Sequence, residues 1–134
     1  MRLPRPALLV PGLVALAPLA LAAATALPKL PSGLQVSLMQ VVWPAPGAAK
    51  GDRVARFRFL APDLKKGADT DADLKTLCEK VARPMVKAKG ATVDQVIVSL
   101  ASKPLKLGES RPDVVQVFEA YQLKASHCAF APPW

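Results

Sequence analysis

The sequence predicts an α+β fold, a single domain in the order β-β-α-β-β: a mainly antiparallel four-stranded sheet with one amphipathic helix packed on one face. Three observations carry this. Asp71 to Lys89 repeats its apolar residues at helical spacing, the segments on either side repeat theirs at period two, and Cys78 and Cys128 are the only cysteines. Strands grouped around a single helix, rather than alternating with several, favour this layered class.

In the helical stretch Leu74, Leu77, Cys78, Val81, Met85 and Ala88 fall on one face, and Lys75, Glu79, Lys80, Arg83 and Lys87 fall mostly on the other. Thr70 followed by Asp73 resembles a capping box, with aspartate in place of the usual Glu or Gln. Asp71 and Asp73 suit the positive first turn, Lys87 and Lys89 suit the negative last one, and Gly90 can end the helix. Pro84 brings no backbone donor and crowds the preceding turn, which predicts a kink or break there.

The strands follow from alternation. Leu27 to Gly33, with two prolines, reads as an extended lead-in without structure of its own. Leu34 to Trp43 is the first strand, with Leu34, Val36 and Leu38 on one side. Arg53 to Leu60 is the second, with Ala55, Phe57 and Phe59 inward and Val54, Arg56 and Arg58 outward, and the two are expected to pair antiparallel. Gln95 to Ala101 is the third strand, and Val114 to Lys124 the fourth. The connection between them, Lys103 to Asp113, is expected to hold a short strand at Leu105 to Leu107. On the fourth strand Val115, Val117, Tyr121 and Leu123 share a side with Glu119, which calls for a cationic neighbour, Arg56 or Arg58, across the sheet.

Residues 1–26 read as a secretory signal: Arg2 and Arg5 precede an apolar run, and Ala24-Thr25-Ala26 offers a small-residue cleavage site, with cleavage after Ala24 as the alternative. The prolines and glycine within the run argue against a retained anchor, and no later stretch is long enough to span a bilayer. The mature domain is then 27–134, periplasmic or secreted. The formal charge of +8 falls to about +6 without Arg2 and Arg5, a mildly basic balance that suits an anionic partner or ordinary solubility. In an oxidising compartment the two cysteines are expected to pair, tying the helix to the sheet edge.

Recognisable chemistry is scarce. His127 directly precedes Cys128, but neighbours on an extended segment face opposite sides, and no Cys-x-x-Cys motif is present, so a structural disulfide is the simpler reading. Asp69, Asp71 and Asp73 alternate like the start of a calcium loop, yet the glycine and terminal glutamate of that loop are missing, and helix capping accounts for them. No cofactor and no metal are implied. Arg56 and Arg58, with Arg53, Lys65 and Lys66, form a candidate partner-facing basic patch. Base-stacking aromatics are not expected on that side, since Phe57 and Phe59 point to the core, and export does not suit a nucleic-acid partner.

The runs Asp71 to Pro84, Asp94 to Leu100 and Phe118-Glu-Ala-Tyr121, with Cys128, resemble a family of short exported proteobacterial proteins characterised only as a domain of unknown function. The likeness covers roughly Leu30 to Phe130, and Ala129 and Phe130 stand where a tryptophan is expected in relatives. It implies a periplasmic location and no activity. The expected function is a non-enzymatic binding or accessory domain with a protein or anionic partner in the periplasm; the alternative is a small periplasmic hydrolase or isomerase whose site has no sequence signature.

Overall fold

Chain order and spatial order coincide in this sheet. The computed structural model describes residues 2–4, 12 and 27–132; the expected signal otherwise lies outside them, as does Trp134. Five strands, β1 (Ser37–Val42), β2 (Val54–Leu60), β3 (Gln95–Ala101), β4 (Gln116–Leu123) and β5 (Cys128–Phe130), lie side by side in the order β1-β2-β3-β4-β5. The helical stretch runs between β2 and β3 as α1 (Asp71–Leu77), a π-helical turn (Cys78–Ala82) and α2 (Arg83–Lys89), with right-handed helical dihedrals through both junctions.

The α+β class matches the expectation, but the sheet is five-stranded and mixed. β1–β2, β3–β4 and β4–β5 are antiparallel, whereas β2 and β3 are parallel. The helix supplies the reason. A connection that crosses the sheet and returns brings the next strand in with the same direction, and parallel neighbours require such a crossover. The expected strand at Leu105–Leu107 is absent; that loop is a turn. β5 was not expected at all, since three residues are too few for alternation to register.

β1 starts at Ser37, three residues later than expected, and its register shifts between Leu38 and Gln40. The extra residue lets Leu38, opposite Phe59, and Val41, opposite Phe57, occupy the same face although they are an odd number apart. Simple alternation cannot anticipate that step. Leu34 and Val36 still pack against the core from outside the strand.

The core fills the space between the helix and one face of the sheet. Ala55, Phe57, Phe59, Val96, Val98, Leu100 and Tyr121 project from the strands and Leu74, Leu77, Cys78 and Ala82 from the helix, all essentially inaccessible. Each large apolar side chain buried this way contributes on the order of 1.5–3 kcal/mol. Trp43 meets Phe57 edge-on at 5.7 Å, and Lys89 Nζ lies 4.9 Å from the Trp43 ring centroid, joining the end of α2 to the end of β1.

Pro84 neither breaks the helix nor ends it. The turn ahead of it widens: the Arg83 N–H donates to the Cys78 carbonyl, five residues back. A π-turn there relieves the crowding a proline ring imposes on the preceding carbonyls. Gly90 closes the helix in the left-handed conformation (φ 66°), with the Ala91 N–H reaching the Val86 carbonyl at 3.2 Å. The N-terminus departs from the expected box. Thr70 makes no side-chain cap; Asp69 Oδ1 accepts from the Asp71 N–H at 3.2 Å. Asp73, only 1% exposed, accepts instead from the Ser32 N–H at 3.0 Å and from the Ser32 hydroxyl. The lead-in is therefore docked, with Leu30 in the core.

Candidate functional site: the open face of the sheet

The helix covers one sheet face only. Along the strands every second side chain points the other way, and register sets these into rows: Gln40, Arg58, Ser99 and Phe118 in one, Val42, Arg56, Ile97 and Ala120 in the next. The loop 102–113 folds back over part of this face. Ser102 Oγ accepts from the Val115 N–H at 2.9 Å, and Leu105 is buried.

Arg58 holds that loop in place. It is 5% exposed, and its guanidinium donates to Gln40 Oε1 at 2.5 Å and to the Leu105 carbonyl at 2.6 Å. Both acceptors are neutral. A buried cation ordinarily has a carboxylate partner. Among the described residues Arg58 has none, and Arg56, half-buried beside it, makes no ion pair either. Between them lies a cleft of about 180 Å³, lined by both arginines with Ser99 and Gln116 and by the apolar Ile97, Leu107 and Phe118. Phe118 is 68% exposed and Leu107 52%. Gly108, at φ 80°, turns the loop at the cleft wall, where a side chain would be strained.

The structure thus brings Arg56 and Arg58 together, as the alternation of β2 requires. Lys65 and Lys66 are exposed on the connection into the helix and do not line this cleft. Arg53 is occupied by Asp94, Nε to Oδ2 at 3.1 Å. That pairing, aided by N–H donors from Gly51 and Arg53, holds the Asp94 carboxyl down at about 2 and raises the Arg53 pKa. The expectation that no aromatic reaches the basic face is corrected: Phe118 does, from β4. Its side of β4 was legible, but not the strand order that sets it beside Arg58.

Glu119 was expected opposite Arg56 or Arg58 and is not. It sits across from Val98, in the row that includes Phe57, and so belongs to the helix side of the sheet. Its carboxylate accepts from the adjacent Ala120 N–H at 3.1 Å. It does not line the open-face cleft. Its neighbour in the core, Tyr121, is fully buried with no hydrogen-bond partner for its hydroxyl among the described residues, and burial raises that group's pKa. Ser126 Oγ lies 3.4 Å from His127 Nδ1 on the exposed β4–β5 turn, and Asp69, Asp71 and Asp73 do not converge.

Cys78 and Cys128 are bonded, with Cα atoms 6.3 Å apart, linking the π-turn to the edge strand β5. Among the described residues no helix is long and apolar enough to cross a membrane. Residues 13–132 match the Family of unknown function (DUF6497). The chain belongs to that family. No curated protein and no solved structure matches it. Membership in DUF6497 agrees with the resemblance carried by the helix, the Phe-Glu-Ala-Tyr run and the second cysteine, and it assigns no chemistry.

Proposed function

We propose that this chain is an exported, non-enzymatic binding domain that engages an anionic partner through the open face of its sheet. One observation carries the reading: Arg58 and Arg56 are set into that face with no carboxylate partner among the described residues, beside the exposed apolar side chains of Phe118 and Leu107. A desolvated cation held by neutral acceptors keeps its charge available, so an incoming anion meets little competition. Export is supported by the leader-like residues 1–26 and by the Cys78–Cys128 bond, of a kind that persists in oxidising compartments.

The test places a photoreactive benzophenone side chain at position 118 and, separately, at position 75 on the exposed side of the helix, in cells that export the protein. Adducts are expected from position 118 and not from 75. Equal yields at both positions, or none at 118, contradict the reading.

A further inference from the structure

The open-face cleft combines two requirements in one small volume. Its cationic side is Arg56, free of any ion pair among the described residues, next to Arg58, whose guanidinium carries more N–H donors than its two bonds use. Its apolar side is Ile97 on the sheet floor, with Leu107 and Phe118 standing as walls. Ser99 and Gln116 add neutral polar groups between the two. The neighbouring carboxylate on the loop, Glu109, lines an adjoining depression that shares Arg58 and Leu107 with the cleft and also holds Arg111 and Lys106. Arg111 is held by Asp113, whose hydrogen bond and charge raise its pKa, with a smaller contribution from Glu109. Arg56 lines the cleft and not that depression, where Arg58, Lys106 and Arg111 outnumber the one carboxylate, so the cleft keeps its positive character.

Size narrows the ligand. An apolar cavity of about 150 Å³ accommodates benzene. A cleft of about 180 Å³ thus has room for one ring or a short alkyl chain bearing a single small charged group. A bare inorganic anion would leave Phe118 and Leu107 in water, and a neutral apolar molecule would sit against an unanswered guanidinium. Arginine presents paired N–H donors that match a carboxylate.

We propose that the cleft binds a small apolar monocarboxylate, an aryl or short-alkyl acid, with its carboxylate on Arg56 and its hydrocarbon part between Ile97, Leu107 and Phe118. This rests on the open face being the binding face and names the chemistry it selects.

Phenylacetate is the probe, titrated into the oxidised protein while backbone amide shifts are followed. Saturable shifts are expected at Ile97, Ser99, Leu107 and Phe118. Phenylacetamide, equal in shape but uncharged, and acetate, charged but without the ring, are each expected to bind at least tenfold more weakly. Arg56→Gln should weaken phenylacetate about tenfold or more, the loss typical of a charged hydrogen bond. Phe118→Ser, at an exposed position that leaves the core untouched, should weaken it severalfold, so a folding failure in the first variant cannot hide the answer. N-acetylphenylalanine separates a free acid from a chain terminus, and binding tenfold tighter than phenylacetate would overturn the small-acid assignment. So would equal binding of phenylacetamide, or shifts clustered at Lys65 and Lys66. If these fail while cross-links from position 118 persist, the ligand class is wrong and the open-face reading stands; loss of both removes both.

Discussion

Replacing both cysteines, Cys78→Ala with Cys128→Ala, should remove a large part of the domain's stability. The bond joins residues 50 apart in sequence. Closing a loop of that length restricts the unfolded chain by about 4 kcal/mol, on a chain-entropy basis. A domain of this size has a total stability of roughly 5–15 kcal/mol. Local structure adds to the effect. β5 contributes only three residue pairs, Tyr121–Phe130, Gln122–Ala129 and Leu123–Cys128, and the sulfur link is its covalent anchor to the helix, beside the Cys128 N–H donating to Glu79 at 3.4 Å and Arg83 donating to the Ala125 carbonyl at 2.8 Å. At about 4–8 °C per kcal/mol, the melting temperature should fall by roughly 15–30 °C. Circular dichroism melts of wild type and double variant measure this, and urea titrations should show a larger m value without the cross-link, because the unfolded chain expands. Amide exchange should accelerate first in β5. A fall of less than about 5 °C with unchanged m would refute the reasoning, and would mean that the unfolded chain already keeps helix and tail together.

Tyr121→Phe removes a buried hydroxyl that has no partner among the described residues, so it should leave stability unchanged or raise it by up to about 1 kcal/mol, read by chemical denaturation; a loss above 1 kcal/mol would mean the hydroxyl is hydrogen-bonded in solution. Asp94 is held chiefly by Arg53 at about 2, below its ordinary value, so its contribution is present above about pH 4 and is lost as pH falls through 2. Asp94→Asn should therefore flatten the stability profile between pH 4 and 2 relative to wild type, and an identical profile would contradict the pairing. N-terminal sequencing of exported protein should begin at Leu27 or Thr25, and an intact Met1 would overturn the proposed leader.

Local periodicity carried much of the fold. The face of β2 holding Phe57 and Phe59, the strand Gln95–Ala101 and the helix Asp71–Lys89 were all legible because burial on one side imposes a regular spacing. The direction of β3 was not, since nothing in period two distinguishes parallel from antiparallel neighbours. The π-turn is a local answer to Pro84, a disturbance that the sequence placed but whose form it left open between kink and break. The bulge between Leu38 and Gln40 and the Asp73–Ser32 contact depend instead on partners distant in sequence. The same limit hid most of the candidate site. Arg56 and Arg58 stood out by alternation, but Phe118 and Leu107 reach them only through strand order and the folded-back loop. Glu119 was misplaced for the same reason. It shares a side with Tyr121, as the spacing says, yet that side faces the helix and not the arginines.

The open-face claim turns on charge at one position, and cross-linking from residue 118 with and without the cation measures it most directly. In exporting cells the benzophenone at position 118 should form adducts when Arg56 is present. With Arg56→Glu in the same chain, adduct yield should drop at least about tenfold at equal protein level, as expected for reversing a charge beside a bound anion. Unchanged adducts in the Arg56→Glu chain would contradict the claim that an anionic partner sits on this face.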